Sequence, residues 1–191
     1  LVMKEEFSLV FRRLAIIDPI PESNQPFFDE TNNFIIVFNG EIYNYKYLRK
    51  KLEQENVRFI TSGDTEVFLK GFMQWGEKIF DLVEGMFAAV IIDQRKQEAI
   101  AIRDQLGIKP LYYSNYNDYI CFSSEIRPLF RIIPNNIEAN DIGELLNFRF
   151  NSGENTGLKH IKKIKPGNLI RLKYKNNTFK IEEYYNLNKS F

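Results

Sequence analysis

The stretch that decides the fold is Phe34-Ile35-Ile36-Val37-Phe38, a continuous apolar run of the kind that forms a strand buried on both faces. It ends at Asn39-Gly40, and Glu41 to Tyr43 then resumes as a short strand. An Asn-Gly pair between two strand-like runs is the strongest short-range signal of a hairpin turn. The same pair would also place an amide side chain beside an unhindered backbone N–H at a strand end. Those are the two donors that an oxyanion hole requires, and the residues alone leave both interpretations open.

Two helices are predicted to follow this stretch. Asn44 is the predicted N-cap of the first helix. The second helix begins at about Asp64, whose carboxylate can either cap the helix or accept the ammonium group of a ligand. Apolar residues recur at helical spacing in both, at Tyr45, Leu48 and Leu52 in the first and at Phe68, Phe72, Trp75 and Ile79 in the second.

Further strands are predicted on both sides of the helices. A strand-like run from Phe7 to Ile17 contains the pair Arg12-Arg13, which is typical of a solvated strand face but can also hold a carboxylate through a bidentate guanidinium. The later predicted elements are strands at Met86 to Ile92, Ala99 to Arg103, Leu111 to Tyr116 and Tyr119 to Ser123, a helix at Asp141 to Phe148, and a hairpin of Leu169 to Tyr174 with Phe179 to Tyr184. Successive strands around two helices favour an α+β fold over regular βαβ alternation.

The composition excludes several classes of site. The 191 residues carry a formal net charge of +1, which argues against a broad electrostatic surface for nucleic acid or for an anionic membrane. One cysteine and one histidine exclude an internal disulfide, a cysteine-built metal site and a multi-histidine metal centre. Cys121 lies in an apolar strand and is predicted to be a small buried residue. His160 lies in a basic stretch, and nothing in the sequence supports a dyad of the two.

Several segments, in the same order, resemble the glutaminase domain of glutamine-hydrolysing asparagine synthetases, which is a class II (N-terminal nucleophile) glutamine amidotransferase. The segments are Arg12-Arg13-Leu14-Ala15-Ile16-Ile17-Asp18, Phe38-Asn39-Gly40-Glu41-Ile42-Tyr43-Asn44, Ser62-Gly63-Asp64-Thr65-Glu66, Glu84-Gly85-Met86-Phe87-Ala88 and Arg103-Asp104-Gln105-Leu106-Gly107-Ile108-Lys109-Pro110-Leu111-Tyr112-Tyr113. The similarity is strong from Val10 to about Leu129 and weaker from Ile137 to Tyr185.

The resemblance implies a fold and a set of site residues. The fold is a four-layer αββα sandwich of two mostly antiparallel sheets, expected in this chain to lack its first strand. Arg13 is assigned to the α-carboxylate of glutamine, and the backbone of Leu14, Ala15, Ile16 and Ile17 to the wall of the pocket. Asn39 and Gly40 are assigned to the oxyanion hole, while Glu41 and Asp64 are assigned to the α-ammonium group. A zwitterion needs one cationic and one anionic contact, so the assignment agrees with the chemistry of the residues.

Some features of the chain differ from the family pattern. Phe11 stands where the family often has histidine, and Gln105 where an arginine is common. The N-terminal cysteine nucleophile, within Cys-Gly-Ile, and the Ser-Gly-Gly-x-Asp-Ser loop that binds ATP are not in the chain. We therefore expect residues 1–134 to be an N-terminally truncated amidotransferase domain. Residues 135–191 would be its C-terminal extension, leading to a missing synthetase domain.

The resemblance predicts part of a cytoplasmic asparagine synthetase, with L-glutamine and the synthetase domain as partners, a possible homodimer, and no nucleic acid or membrane. No cofactor or metal is expected in this domain, since ATP and Mg²⁺ belong to the synthetase domain. Two alternatives stay open. One is an amidotransferase for another acceptor, such as a polysaccharide sugar. The other is a non-catalytic domain that senses glutamine or supports assembly.

Overall fold

The computed structural model describes residues 1–12, 17–134, 136–137, 139–149, 151 and 153–187. Its strands are β1 (Val2–Met3), β2 (Ser8–Leu9), β3 (Phe27–Phe28), β4 (Phe34–Ile42), β5 (Gly85–Asp93), β6 (Glu98–Arg103), β7 (Tyr112–Tyr116), β8 (Tyr119–Ser123), β9 (Lys162–Lys163), β10 (Asn168–Lys173) and β11 (Thr178–Glu183). Its helices are α1 (Tyr45–Gln54), α2 (Asp64–Trp75), α3 (Ile79–Leu82), α4 (Ile126–Ile132) and α5 (Ala139–Phe148).

Two antiparallel sheets form the centre of the fold. The larger has the strand order β11-β10-β6-β5-β4-β3, and the smaller has the order β8-β7-β9. β1 and β2 pair with each other as a separate short ladder. Because strands β9 to β11 come from residues 162–183, the C-terminal part of the chain contributes strands to both sheets. The boundary at residue 134 stays a prediction.

Each face of the large sheet has its own hydrophobic core. On one face, Phe68 of α2 packs edge-on against Phe38 of β4, Phe80 of α3 and Phe87 of β5, with ring centroids 5.3 to 6.1 Å apart. On the other face, Ala101 and Ile170 of the large sheet pack with Tyr113 of the small one. α4 contacts β7 and β8. The order of layers is therefore helices, large sheet, small sheet and helix, and the predicted α+β sandwich with two antiparallel sheets is confirmed.

The long central strand differs from the hairpin interpretation. β4 runs without interruption from Phe34 to Ile42, so the predicted turn at Asn39-Gly40 and the separate strand from Glu41 are both wrong. The reason is tertiary, since every residue of β4 has a partner in β5, including Asn39 opposite Ala88 and Gly40 opposite Phe87. A nine-residue ladder outweighs the local preference of one dipeptide for a turn.

Two other boundaries were predicted wrongly. Within the run from Phe7 to Ile17, only Ser8–Leu9 is a strand among the described residues, and residues 13–16 lie outside them. The second predicted helix ends at Trp75, because Gly76 adopts φ 63° there, and Ile79 begins a separate helix that still packs into the same core. Within the described part of the chain, no helix has the length and apolar composition of a membrane span.

Candidate functional site

An open cavity of about 1030 Å³ is lined by residues of the large sheet, including β4, by residues of β8 and by the start of α2. Its lining includes five of the predicted site residues, Ile17, Asn39, Gly40, Glu41 and Asp64, as well as Arg12. The structure therefore brings together residues from β4, from the start of α2 and from the segment before β3. Arg13, Leu14, Ala15 and Ile16 lie outside the described residues, so their predicted roles stay predictions.

The direction of the Gly40 amide follows from the hydrogen bonds of its partner in β5. The Phe87 carbonyl accepts a hydrogen bond from the Asp104 amide at 2.8 Å, and the Phe87 N–H donates to the Asp104 carboxylate at 3.2 Å. Both backbone groups of Phe87 are therefore directed away from β4. Gly40 and Phe87 are consequently a non-hydrogen-bonded pair. The Gly40 N–H is directed away from β5, towards the free edge of β4.

The backbone N–H of Gly40 differs in its hydrogen bonding from its neighbours along this free edge. Alternate residues of a strand direct their N–H groups to the same edge. The Phe38 N–H donates to the side chain of Gln25 at 2.6 Å, and the Ile42 N–H donates to the carboxylate of Asp64 at 3.0 Å. Gly40 lies between them, and no acceptor in the described residues takes its N–H. A backbone donor is thus left available at the cavity.

The side chains of β4 separate by parity. Even-numbered residues such as Phe38 and Ile42 are buried in the core under the helices. Asn39 and Glu41 belong to the opposite set, are half-buried, and line the cavity with Val37. The Asn39 amide and the Gly40 N–H are therefore neighbouring donors at one cavity, an arrangement that can stabilise negative charge developing on an oxygen.

Asp64 supplies a carboxylate at the same edge of β4, next to Ile42. It was predicted to be able to cap α2, but the N-cap position is occupied by Gly63, and Asp64 is the first helical residue. Its side chain is directed across to β4 and accepts the Ile42 N–H. Burial raises the pKa of Asp64, hydrogen bonds from backbone amides oppose this effect, and the neighbouring charge of Glu41 adds to the increase. A cationic ligand group beside both carboxylates would relieve this penalty.

The loop before α2 is held in place by two other carboxylates. Asp18 accepts from the Ser23 hydroxyl and from the Ser62 amide, both at 2.7 Å. Glu66, which is 1% exposed, accepts from the Thr61 hydroxyl at 2.6 Å and from the Thr61 amide at 2.7 Å. These contacts give the turn at Gly63 a defined position and therefore orient Asp64.

A second loop, which begins at Asp104, holds β5 on the side that faces away from β4. Asp104 is fully buried, and besides Phe87 its carboxylate accepts the amides of Leu106, Ile108 and Lys109 at 2.9 to 3.1 Å. These bonds close the turn that leads to Pro110, and the turn in turn holds the strand residue opposite Gly40.

Three other predicted residues have different roles. Asn44 occupies the N-cap position of α1 but makes no side-chain capping bond, because its amide bonds the Leu82 carbonyl and the Glu84 N–H instead. Cys121 is half-buried, and burial raises the pKa of its thiol. His160 packs edge-on against Tyr116 at 4.9 Å, and no hydrogen bond joins it to Cys121 in the part of the chain described.

Among the described residues, no three histidine, cysteine, aspartate or glutamate side chains are grouped so that they could bind a metal ion. The chemistry that the site offers is instead hydrogen bonding to an oxygen at Asn39 and Gly40 and carboxylate binding of a cation at Glu41 and Asp64.

Comparisons with known proteins identify the family of the chain. The model of a glutamine amidotransferase domain family matches residues 1–185. Asparagine synthetase (glutamine-hydrolyzing) 1 of Bacillus subtilis (strain 168) is 37% identical over 171 residues, which are 88% of this chain and 27% of that protein. Asparagine synthetase (glutamine-hydrolyzing) 2 of Arabidopsis thaliana is 40% identical over 126 residues, 65% of this chain and 21% of that protein. The chain thus spans about a quarter of the length of these relatives.

The fold also matches a solved structure. Glutamine phosphoribosylpyrophosphate amidotransferase from B. subtilis, complexed with ADP and GMP, aligns with a TM-score of 0.62 at 20% identity, covering 86% of this chain and 32% of that one. At this identity the likeness concerns the fold alone, and it agrees with the predicted sandwich of two antiparallel sheets.

Proposed function

The chain belongs to the family of glutamine amidotransferase domains, and from that membership we propose that it is the glutaminase part of an asparagine synthetase. The parent polypeptide would convert glutamine, aspartate and ATP to asparagine, glutamate, AMP and pyrophosphate in the cytoplasm. The names of the relatives from B. subtilis and A. thaliana support this choice of reaction.

The observation that carries the proposal is the available Gly40 N–H beside the half-buried Asn39 amide. When a nucleophile attacks the side-chain amide of glutamine, the carbonyl oxygen gains a negative charge. Two donors that are in position before the reaction stabilise that charge without having to move. Electrostatic stabilisation of this kind is one of the largest contributions to catalysis. Asn39 and Gly40 are neighbours on a strand that is paired with β5 throughout its length, so the backbone that carries both donors is fixed.

The two carboxylates at the same cavity support L-glutamine as the ligand. Asp64 and Glu41 suit the α-ammonium group, because burial raises the pKa of Asp64 and a cation beside its carboxylate would offset the cost of ionising it there. The resemblance assigns the α-carboxylate to Arg13 and the pocket wall to residues 14–17. This part of the proposal rests on the family pattern.

We propose the family reaction for the chemical step. The thiol of an N-terminal cysteine in the parent polypeptide attacks the side-chain carbonyl carbon, its proton passing to the cysteine's own α-amino group. The oxyanion accepts hydrogen bonds from Asn39 and Gly40. Collapse of this intermediate breaks the carbon–nitrogen bond, the proton goes to the leaving nitrogen, and ammonia departs. Water then hydrolyses the thioester to glutamate. ATP and Mg²⁺ would act in the synthetase domain, on aspartate, and not through residues of this chain.

The test is a product analysis of the parent polypeptide supplied with L-glutamine, aspartate and ATP. We expect asparagine and glutamate to form in equal amounts. Glutamate and free ammonia without asparagine would refute aspartate as the acceptor and favour the polysaccharide alternative. No glutamate at all would favour a non-catalytic domain that binds glutamine or supports assembly.

A further inference from the structure

The free edge of β4 is bounded by a residue that nothing above assigns to the reaction, Gln25. β3 pairs with β4 at only two positions, Phe27 with Ile36 and Phe28 with Ile35. In an antiparallel ladder each step back along one strand is a step forward along the other. Continued in the same register, the ladder would place Gln25 opposite Phe38.

Continued further, this ladder would also close the site. Two more steps would place Ser23 opposite Gly40, and a backbone acceptor from the neighbouring strand would then take the amide that the cavity needs. The chain does not continue in this way. Residues Pro21–Ser23 form a 3-10 turn instead of a strand.

Where the neighbouring strand ends, the side chain of Gln25 takes its place. Its Oε1 accepts the Phe38 N–H at 2.6 Å, and Gln25 itself lines the cavity. Because Phe38 supplies a donor, the atom that it meets must be the amide oxygen, so the Nε2 group is the one that faces Thr65, at 3.5 Å from the hydroxyl. Gln25 therefore lies between β4 and the first turn of α2, which carries Asp64.

We propose that Gln25 is a positioning residue of the glutaminase site: it satisfies Phe38 in place of a strand and keeps the next amide on that edge, Gly40, open and correctly aimed. The inference rests on the proposed glutaminase function. Gln25 does not touch the reacting atoms. It acts through β4, by holding the segment on one side of the oxyanion donors, as Asp64 does on the other side at Ile42.

The experiment uses two variants of the parent polypeptide. Gln25→Asn keeps the amide but withdraws it by one methylene group from Phe38, while Gln25→Glu keeps both the length and an acceptor oxygen. The matched control is Gln74→Asn, because the side-chain amide of Gln74 donates to the exposed side chain of Glu55, away from the cavity. The readouts are kcat and KM for L-glutamine hydrolysis, synthesis driven by free ammonium, and the melting temperature.

We expect Gln25→Asn to lower the kcat of glutamine hydrolysis by about 10-fold or more, because a small displacement of aligned groups is costly, with ammonium-driven synthesis unchanged. Gln25→Glu should retain more activity than Gln25→Asn, and the control should match the wild type. Equal losses in the two Gln25 variants would overturn the proposal. So would a kcat for Gln25→Asn that matches the control, or a parallel fall in both activities with the melting temperature.

Asn39→Ala in the same series separates this inference from the function on which it rests. If Asn39→Ala leaves glutamine hydrolysis unchanged, the proposed oxyanion hole itself is wrong. If Asn39→Ala is slow while Gln25→Asn is normal, the glutaminase assignment stands and only the role of Gln25 is refuted.

Discussion

Gly40 and Phe87 face each other across the β4–β5 ladder at a distance that allows no side chain on Gly40. A Cβ atom there would lie 2.6 Å from the Cα of Phe87 and 2.1 Å from the carbonyl oxygen of Met86. Both contacts are with backbone, which cannot rotate out of the way. The close approach therefore links the identity of residue 40 to the geometry of the strand that carries both predicted oxyanion donors.

We expect Gly40→Ala to destabilise the chain by about 1–3 kcal/mol, as overpacking does, and to lower glutamine hydrolysis by displacing the Asn39 and Gly40 donors. Urea unfolding and a glutaminase assay of the parent polypeptide measure the two effects. Gly143→Ala in α5 is the control, since a Cβ there meets nothing within 4 Å. Equal stability of the two variants would contradict the close approach.

Asn39→Ala removes a donor aimed at charge that develops only during the reaction. We expect the kcat of glutamine hydrolysis to fall by about 100-fold or more, the usual effect of losing one oxyanion donor, with a smaller effect on glutamine affinity. Activity driven by free ammonium should be unaffected.

Asn44→Ala is the matched control for Asn39, because its side-chain amide bonds the backbone of Leu82 and Glu84. It should leave the ratio of glutamine-driven to ammonium-driven activity unchanged. A loss of both activities in Asn39→Ala would mean that Asn39 supports folding and not the oxyanion.

Asp64→Asn should separate stability from binding. The folded state raises the pKa of Asp64, so above the unfolded pKa the folded chain holds a proton that the unfolded chain has released. The stability contributed by this group is therefore lost as the pH rises through the raised pKa. The stability of Asp64→Asn should not show this fall. At the same time the KM for L-glutamine should rise, since the ammonium contact is made in both ground and transition states. Arg13→Ala should raise this KM in the same way.

Urea midpoints of the chain between about pH 4 and pH 7 test the stability of Asp64→Asn. Asp81→Asn, at an exposed site on α3, is the control. If Asp64→Asn loses stability relative to the wild type as the pH rises, the surroundings stabilise the ionised carboxylate, and the pKa of Asp64 is lowered instead of raised.

Arg171→Met should weaken the far edge of the large sheet without altering the site. Arg171 bonds the carboxylates of Glu77, Glu98 and Glu182 at 2.9 to 3.1 Å and, as the largest cause, lowers the pKa of Glu182. We expect a loss of about 1–2 kcal/mol at neutral pH, less than for a fully buried pair because the partners are partly exposed.

The lowered pKa of Glu182 means that this stabilisation is present above the unfolded pKa and is lost as the pH falls. The difference between Arg171→Met and the wild type should therefore shrink in acid. Lys180→Met, which removes a 77% exposed side chain 3.6 Å from the same Glu182, should change little. A constant difference at all pH values would show that the ion pairs are not its cause.

The 191-residue chain by itself should not hydrolyse glutamine, because its one thiol is unsuited to attack. Cys121 is half-buried, and its raised pKa leaves little thiolate at neutral pH. Ammonia release from the purified chain should not exceed a protein-free blank. Release that disappears in Cys121→Ser would contradict this and identify Cys121 as a nucleophile.

The sequence by itself determined the elements whose signals are local. Apolar runs predicted β5 and β6, and the hairpin of β10 with β11 forms as expected across its turn. The segments shared with amidotransferases predicted the family and the fold. Local signals failed at Ile79, where Gly76 breaks the helix, and at Asn39-Gly40, where pairing with β5 overrides the turn preference.

Only the tertiary structure decided which amide of β4 is available. Pairing with β5 sets the parity of the strand, and that parity directs the N–H groups of Phe38, Gly40 and Ile42 to one edge. The acceptors that occupy the outer two, Gln25 and Asp64, come from 13 and 22 residues away in the chain. No periodicity marks Gln25, because its role exists only where the neighbouring strand stops. Such contacts join residues that are far apart in the chain, so no short stretch of sequence encodes them.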